Sequence, residues 1–134
     1  MIDYSNEVFT AVATVVRNTH PGTKMIGEYV RHPSEFPVVT LDETQNVMVD
    51  HLEDSSNVEY FAGVTYRLQV SSNKRSGKRA EARKIFDTAD AEMRRMGFRR
   101  VTYTTTPEIY DSTVYSITAT YEAVMSAAGY VYKR

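Results

Sequence analysis

Apolar residues recur at helical spacing in two stretches of the chain. In residues 4–18, the valines Val8, Val12, Val15 and Val16 fall on one side of a helix. In residues 78–96 the apolar stripe advances in steps of three or four residues, through Ala82, Ile85, Phe86, Ala89, Met93 and Met96. Stripes of this kind predict two amphipathic helices, each of which buries one side against the rest of the domain.

Elsewhere apolar and polar residues alternate, which is typical of strands with one buried face. The clearest case is residues 58–71, whose apolar positions are Val58, Tyr60, Ala62, Val64, Tyr66, Leu68 and Val70. Residues 113–125 alternate in the same way. Shorter strands are predicted at residues 25–31, 38–43 and 99–106, with a last one after Gly129.

The segments between these elements carry turn and helix-end residues. A His-Pro-Gly run at residues 20–22 ends the first helix, and residues 44–57 are predicted to form a long acidic loop. Gly97 suits the left-handed position that closes a helix, after which Phe98 can pack back on Met93. The order helix, three strands, helix, two or three strands predicts a two-layer α+β domain. In it, a largely antiparallel sheet carries both helices on one face.

Length and composition narrow the protein class. A chain of 134 residues favours one domain, residues 1–134, and is long enough to bury a core. The absence of cysteine excludes disulfides and thiolate metal sites, and it fits a reducing compartment. We expect no membrane partner, because no apolar run reaches 18 residues, and no signal peptide at the acidic N-terminus.

The net charge of −1 hides a segregation of charge along the chain. Residues 32–66 contain seven acids and no lysine or arginine, whereas residues 67–100 contain eleven bases and four acids. An acidic and a basic region on one chain could bind each other between copies. The alternative is two ordinary solvated faces.

The densest positive charge is a run that we call the basic cluster. Its members are Lys74, Arg75, Lys78, Arg79, Arg83 and Lys84, with only Glu81 among them. The cluster spans a loop and a helix N-terminus, where phosphate can bind free N–H groups. No aromatic residue interrupts it to stack on bases, so we favour a protein partner over nucleic acid at this surface. A small nucleic-acid-binding α+β module is the alternative function.

Four arginines flank a Met-Gly-Phe in the stretch RRMGFRR. Arg94 and Arg95 lie in the last turn of the predicted helix, where cations complement the helix dipole. Arg99 and Arg100 begin a strand, so their side chains should point to opposite faces. We therefore expect these charges on at least two surfaces, with Arg94 pairing Asp90 on the exposed side of the helix.

Catalytic and metal-binding patterns are weak. The sequence contains no phosphate-binding glycine loop and no spacing typical of a Ser-His-Asp triad. The one group of possible metal ligands is Asp50, His51, Glu53 and Asp54, which also reads as a solvated acidic loop. We expect no enzyme activity, no cofactor and no resident metal.

From residue 58 onward the order of elements follows a known pattern. An alternating strand (VEYFAGVTYRLQV) leads through a Lys/Ser/Gly loop into a helix (KRAEARKIFDTADAEMRRM). Gly-Phe, paired strands and a tyrosine-rich strand (STVYSITATYEAVM) follow. This arrangement resembles the tail terminator family of long-tailed bacteriophages, also called tail completion or tail-to-head joining proteins. The resemblance covers residues 58–134, and the N-terminal elements agree with it in order only.

The resemblance implies a structural role in the virion, at the head-proximal end of the tail, after assembly in the host cytoplasm. Such proteins form a hexameric ring that stops polymerisation of the tail tube and docks the head connector. DNA passes through the ring without being read, and no catalytic residue or cofactor is required. The basic cluster would then face a neighbouring subunit or the tube. The ring lumen would be lined by the acidic stretch of residues 42–59, with Asp42, Glu43, Asp50, Glu53 and Asp54.

Overall fold

The computed structural model describes residues 3–28, 35–48, 61–107, 113–126 and 131–132. Two helices and six strands follow one another along the chain. Their bounds are α1 Ser5–Thr19, β1 Lys24–Ile26, β2 Val38–Met48, β3 Phe61–Ser72, α2 Lys78–Arg95, β4 Arg99–Pro107, β5 Tyr115–Ser126 and β6 Val131–Tyr132.

The strands form a single sheet in the order β1-β2-β3-β5-β4, with β6 paired to β5. The β1–β2 pairing is parallel, and all the others are antiparallel. Both helices pack on the sheet, which confirms the predicted α+β fold. β3 and β5 lie between β2 and β4, so they form the centre of the sheet.

The core lies between the helices and the central strands. On β3 the apolar positions of the alternating pattern are buried from Ala62 to Val70, and the residues between them are half-buried. The helices supply the opposite side of the core with Val8, Val12 and Val16 from α1 and with the predicted stripe of α2. Val15 is half-buried and Ala13 takes its place in the core, so the predicted α1 stripe is shifted slightly.

α2 ends as the sequence predicts. Gly97 has a φ of 99°, in the left-handed region. Its amide donates to the carbonyl of Arg94 at 2.9 Å, and the amide of Phe98 donates to the carbonyl of Met93 at 3.1 Å. These two bonds define a Schellman motif. The turn delivers Phe98 to the core, where its ring meets Tyr66 edge to face at 5.2 Å.

The prediction of a loop over residues 44–57 is wrong at its beginning. β2 continues to Met48 instead of ending at Glu43, and a bulge at Thr44 shifts the register between Glu43 and Gln45. Residues 49–57 lie outside the described residues. The strand predicted at residues 25–31 begins at Lys24 and ends at Ile26, so Gly27 and Glu28 are not part of it, and residues 29–31 lie outside the described residues.

Candidate assembly surfaces

The basic cluster occupies the turn after β3 and the first two turns of α2. The turn leads into the helix through Gly77, whose φ of 89° is left-handed. The Ser72 hydroxyl donates to the Glu81 carboxylate at 2.7 Å and accepts a bond from the Lys74 amide at 3.3 Å. Glu81 is thereby held against the end of β3, and the cationic side chains around it remain on the outside of the domain.

Most of the positive charge in the basic cluster has no acidic partner. Arg83 pairs with Asp87 at 3.1 Å, one turn further along α2. The other five cationic side chains form no ion pair with any described residue. All of them are exposed except Lys78, which is half-buried. The cluster therefore presents unneutralised positive charge to solvent.

Two tyrosines from the sheet join the basic cluster. The Arg79 guanidinium lies 5.9 Å from the centre of the Tyr115 ring, and that of Arg83 lies 5.7 Å from the Tyr103 ring. Arg100 approaches the same Tyr103 ring at 5.6 Å. Cation–π contacts at these distances are attractive. These rings are not evident from the spacing of the basic cluster, because β4 and β5 bring them to the helix from 20 or more residues away along the chain.

Two of the predicted acidic lumen residues are neighbours on β2 and point to opposite faces of the sheet. Asp42 forms an ion pair with Arg67 of β3 at 3.0 Å. Glu43, on the helix-covered face, accepts a hydrogen bond from the Tyr66 hydroxyl at 3.4 Å. Burial, and then the charge of Glu43, raises the pKa of Tyr66 well above its ordinary value. Glu43 has no cationic partner among the described residues.

A concavity of about 430 Å³ lies at the outer edge of β2 and is lined by Asp42, Glu43, Asp3, Ser5 and Gly27. The Asp3 carboxylate accepts bonds from the amide and the hydroxyl of Ser5, which lower the pKa of Asp3. We call Asp3, Asp42 and Glu43 the acidic edge. It holds three carboxylates, and Arg67 pairs with one of them, so it keeps negative charge.

The other predicted acidic residues, Asp50, Glu53 and Asp54, lie outside the described residues, as does His51. The predicted lumen surface and the possible metal ligands in that segment therefore remain predictions. Among the residues that the structure describes, no group of three or more His, Asp or Glu side chains is placed to hold a metal ion.

The arginines of RRMGFRR separate onto two faces, as predicted. Arg99 pairs with Glu122 of β5 at 3.5 Å. On the other face, Arg94 and Arg100 both approach Asp90, at 3.8 and 3.2 Å. In the last turn of α2, Arg95 donates two hydrogen bonds of 2.6 Å to the Glu92 carboxylate, and this hydrogen bonding lowers the pKa of Glu92 below its ordinary value.

Asp90 is buried, so the prediction that it lies on the exposed side of α2 is wrong. Its side chain is about one-tenth exposed, and it accepts a hydrogen bond of 2.5 Å from the Tyr121 hydroxyl. Tyr121 is fully buried; burial, and then its bond to Asp90, raises the pKa of Tyr121 far above its ordinary value. Asp90 therefore joins α2 to β5 and to the start of β4.

A larger concavity of about 610 Å³ lies near the turn after α2, where Phe98 and Val124 provide apolar surface. Its charged lining residues are Arg94, Arg99 and Glu122. Arg99 and Glu122 pair with each other, and Arg94 pairs with Asp90. The charged groups of this concavity thus neutralise one another or neighbouring residues, which is typical of structural ion pairs rather than of an acid–base pair.

None of the described helices is long and apolar enough to cross a membrane. No family model matches the chain, and no curated protein matches it with significant similarity.

Proposed function

We propose that this protein is a structural assembly protein of a bacteriophage virion. It caps the tail tube, stops its polymerisation and forms the docking interface between tail and head connector. The resemblance of residues 58–134 to tail terminators supplies the class. The observation that supports it most is the presence of unneutralised charges of opposite sign on separate surfaces of one domain.

A ring of identical subunits joined head to tail needs two different surfaces that complement each other. The basic cluster lies at the start of α2, beside Tyr115 and Tyr103 on the β5–β4 side of the sheet. The acidic edge lies on β2, beyond β3. Charged surfaces arranged in this way favour one orientation of neighbouring subunits and disfavour the reverse one.

In this proposal the assembled form is a homo-oligomer, a hexameric ring at the head-proximal end of the tail. Its partners are the tail tube protein and the head-to-tail connector. DNA passes through the ring without sequence-specific binding. The role requires no catalysis and no cofactor, since only binding surfaces are needed.

Particles assembled without this chain test the proposal. They should carry tails of uncontrolled length or tails that fail to join heads, because nothing caps the tube. Negative-stain electron microscopy of lysates measures tail length and the fraction of joined particles. Supplying the wild-type chain in trans should restore both, and normal tails in its absence would refute the proposal.

Nucleic-acid binding through the basic cluster is the second candidate function, and one observation favours it. Tyr103 and Tyr115 give the cluster the aromatic surfaces that its own sequence lacks. If the cluster neutralises several phosphates, affinity for duplex DNA must fall steeply as salt is raised. A fluorescence titration at two salt concentrations tests this, and absence of binding at low salt would remove this candidate.

A further inference from the structure

The two edges of the sheet differ in character, and we call β4 and the part of β2 beyond β1 its outer strands. β4 pairs with β5 along one side, and no described strand lies against its other side. At the opposite end, β1 covers β2 only from Val38 to Thr40. Beyond Thr40, the acidic edge and its concavity occupy the outer side of β2. Outer strands of this kind are templates for pairing with another chain.

Exposed apolar side chains concentrate on these two strands. In the described part of the chain, the exposed large apolar residues are Val47 on β2 and Val101 and Tyr103 on β4, with exposures of 49%, 46% and 38%. Isolated exposed apolar residues are common on protein surfaces. All three lie on the two outer strands, although Val47 also lines the larger concavity, and this distribution favours a partner at these edges.

The two outer strands also have opposite charge. The acidic edge holds three carboxylates against one paired arginine. Beside β4, Arg94 and Arg100 share the single carboxylate of Asp90, and Arg83, which flanks Tyr103, pairs with Asp87. These three arginines face two carboxylates, so positive charge is in excess. Positive charge along β4 therefore faces outward at one end of the sheet, and negative charge faces outward at the other.

We infer that the β4 edge of one copy of this chain adds to the β2 edge of the next copy. The occupant of each edge is thus a second copy, chosen by charge and by the apolar residues Val47, Val101 and Tyr103. The contact is head to tail, so each copy uses both edges and successive copies build a ring or a filament. This inference rests on the proposed ring-forming function, for which it names the contact between subunits.

Bulges limit the length of this contact. The β2 bulge at Thr44 and the β4 bulge at Val101 each interrupt the ladder with the inner neighbour. Bulges also twist an edge and discourage uncontrolled pairing. Regular strand remains over residues 45–48 and 102–107, which is enough for a short pairing. Such a contact is weak between two free chains and gains strength when a ring closes.

Charge substitutions at the two exposed valines test this contact. Val47→Lys places a cation where the partner's arginines approach, and Val101→Glu places an anion where the partner's acidic edge approaches. Each variant alone should weaken self-association about 30-fold or more, because opposed like charges are costly. An equimolar mixture should regain association, since one edge pair is then wild-type and the other joins Lys to Glu.

Sedimentation velocity of the full-length chain over a concentration series measures the effect. Val47→Ile and Val101→Ile are the matched controls, because isoleucine keeps the β-branched, apolar character and adds no charge; both should associate about as the wild type does. Circular dichroism establishes that every variant is folded. A mixture that stays monomeric, or one charged variant that associates normally, would overturn the inference. So would a wild-type chain that is monomeric at about 1 mM.

The same variants separate this contact from the proposed function. If the chains associate through these edges but particles lacking the protein have normal tails, the function fails and the contact stands. If tails require the protein but Val47→Lys and Val101→Glu each support normal tails, the contact fails and the function stands.

Discussion

Asp90 is the residue on which the joint between α2 and the sheet depends. Its carboxylate accepts from the buried Tyr121 hydroxyl at 2.5 Å and from Arg100 at 3.2 Å, and Arg94 approaches it at 3.8 Å. Because Tyr121 is fully buried, its hydroxyl can replace a lost acceptor with water only by disturbing the core. The packing of α2 on the sheet therefore depends on one buried carboxyl group.

We predict that Asp90→Ala lowers the free energy of unfolding by about 2–3 kcal/mol. The substitution leaves a buried donor on Tyr121 without its acceptor, and it removes a charge-assisted bond to Arg100. Urea denaturation of the purified chain measures the change. Asp87→Ala is the control, because this exposed aspartate on the same helix pairs only with exposed Arg83 among the described residues. Equal stability losses in the two variants would contradict the role of Asp90.

The burial of Asp90 shows where sequence reasoning stops at the residue scale. A helical wheel places Asp90 at the border of the apolar stripe, next to Phe86 and Met93. Helical spacing is therefore compatible with either a buried or an exposed side chain at this position. The partner that makes burial favourable is Tyr121, 31 residues away along the chain. A single sequence does not determine which tyrosine of β5 contacts α2. The burial of Asp90 therefore could not be predicted.

At the scale of elements, the joint between α2 and β4 depends on Gly97. Its φ of 99° lies in a region where a Cβ clashes with the backbone. The Schellman bonds from Gly97 and Phe98 fix the direction of β4 and place Phe98 in the core. One turn geometry favours both glycine at position 97 and an apolar residue at position 98. Because these requirements are local, the sequence alone predicts this joint.

Gly97→Ala should destabilise the protein by about 1–2 kcal/mol, the cost of holding a residue with a Cβ in the left-handed region. Thermal unfolding followed by circular dichroism measures this as a lower midpoint. Gly27→Ala is a matched control: its φ is not in that region, and a Cβ there would meet the Phe9 ring at an ordinary 3.7 Å. A Gly97 variant as stable as the Gly27 variant would show that the turn tolerates a side chain.

The length of β2, in contrast, could not be predicted from the sequence pattern. In a regular strand, residues three positions apart point to opposite faces. The bulge at Thr44 adds one residue, so Glu43 and Asn46 point to the same face. The alternation of period two is therefore broken where the strand crosses the bulge. Polar residues at 44–46 then resemble a loop. Pairing with β3, which the pattern does not encode locally, continues the strand to Met48.

At the scale of the whole molecule, the sequence predicts the fold class but not the surfaces. Amphipathic stripes and alternation follow from local spacing, so the two-layer arrangement was accessible. The surfaces depend on strand order, which puts β2 and β4 at opposite ends of the sheet. Strand order also brings Tyr103 and Tyr115 beneath Arg83 and Arg79. Charge segregation along the chain thus becomes charge segregation in space only through the topology.

Reversing charge in the basic cluster tests its function without harming the fold. In the variant Lys78→Glu/Arg79→Glu, two acids replace two bases in the first turn of α2, where the helix dipole favours negative charge. We expect the variant to be about as stable as the wild type, because this gain offsets the lost contact between Arg79 and the Tyr115 ring, while its incorporation into tails falls strongly. Electron microscopy and the protein content of purified particles measure incorporation.

The comparison variant Arg17→Glu reverses an exposed charge in the last turn of α1, where an acid is mildly unfavourable. It should nevertheless be incorporated normally, because α1 lies outside the basic cluster. Thermal unfolding of both variants, followed by circular dichroism, establishes that each is folded, so unfolding cannot explain a loss of incorporation in Lys78→Glu/Arg79→Glu alone. Normal incorporation of Lys78→Glu/Arg79→Glu would exclude the basic cluster from assembly. If that variant lost only DNA binding, the cluster would instead serve the nucleic-acid function.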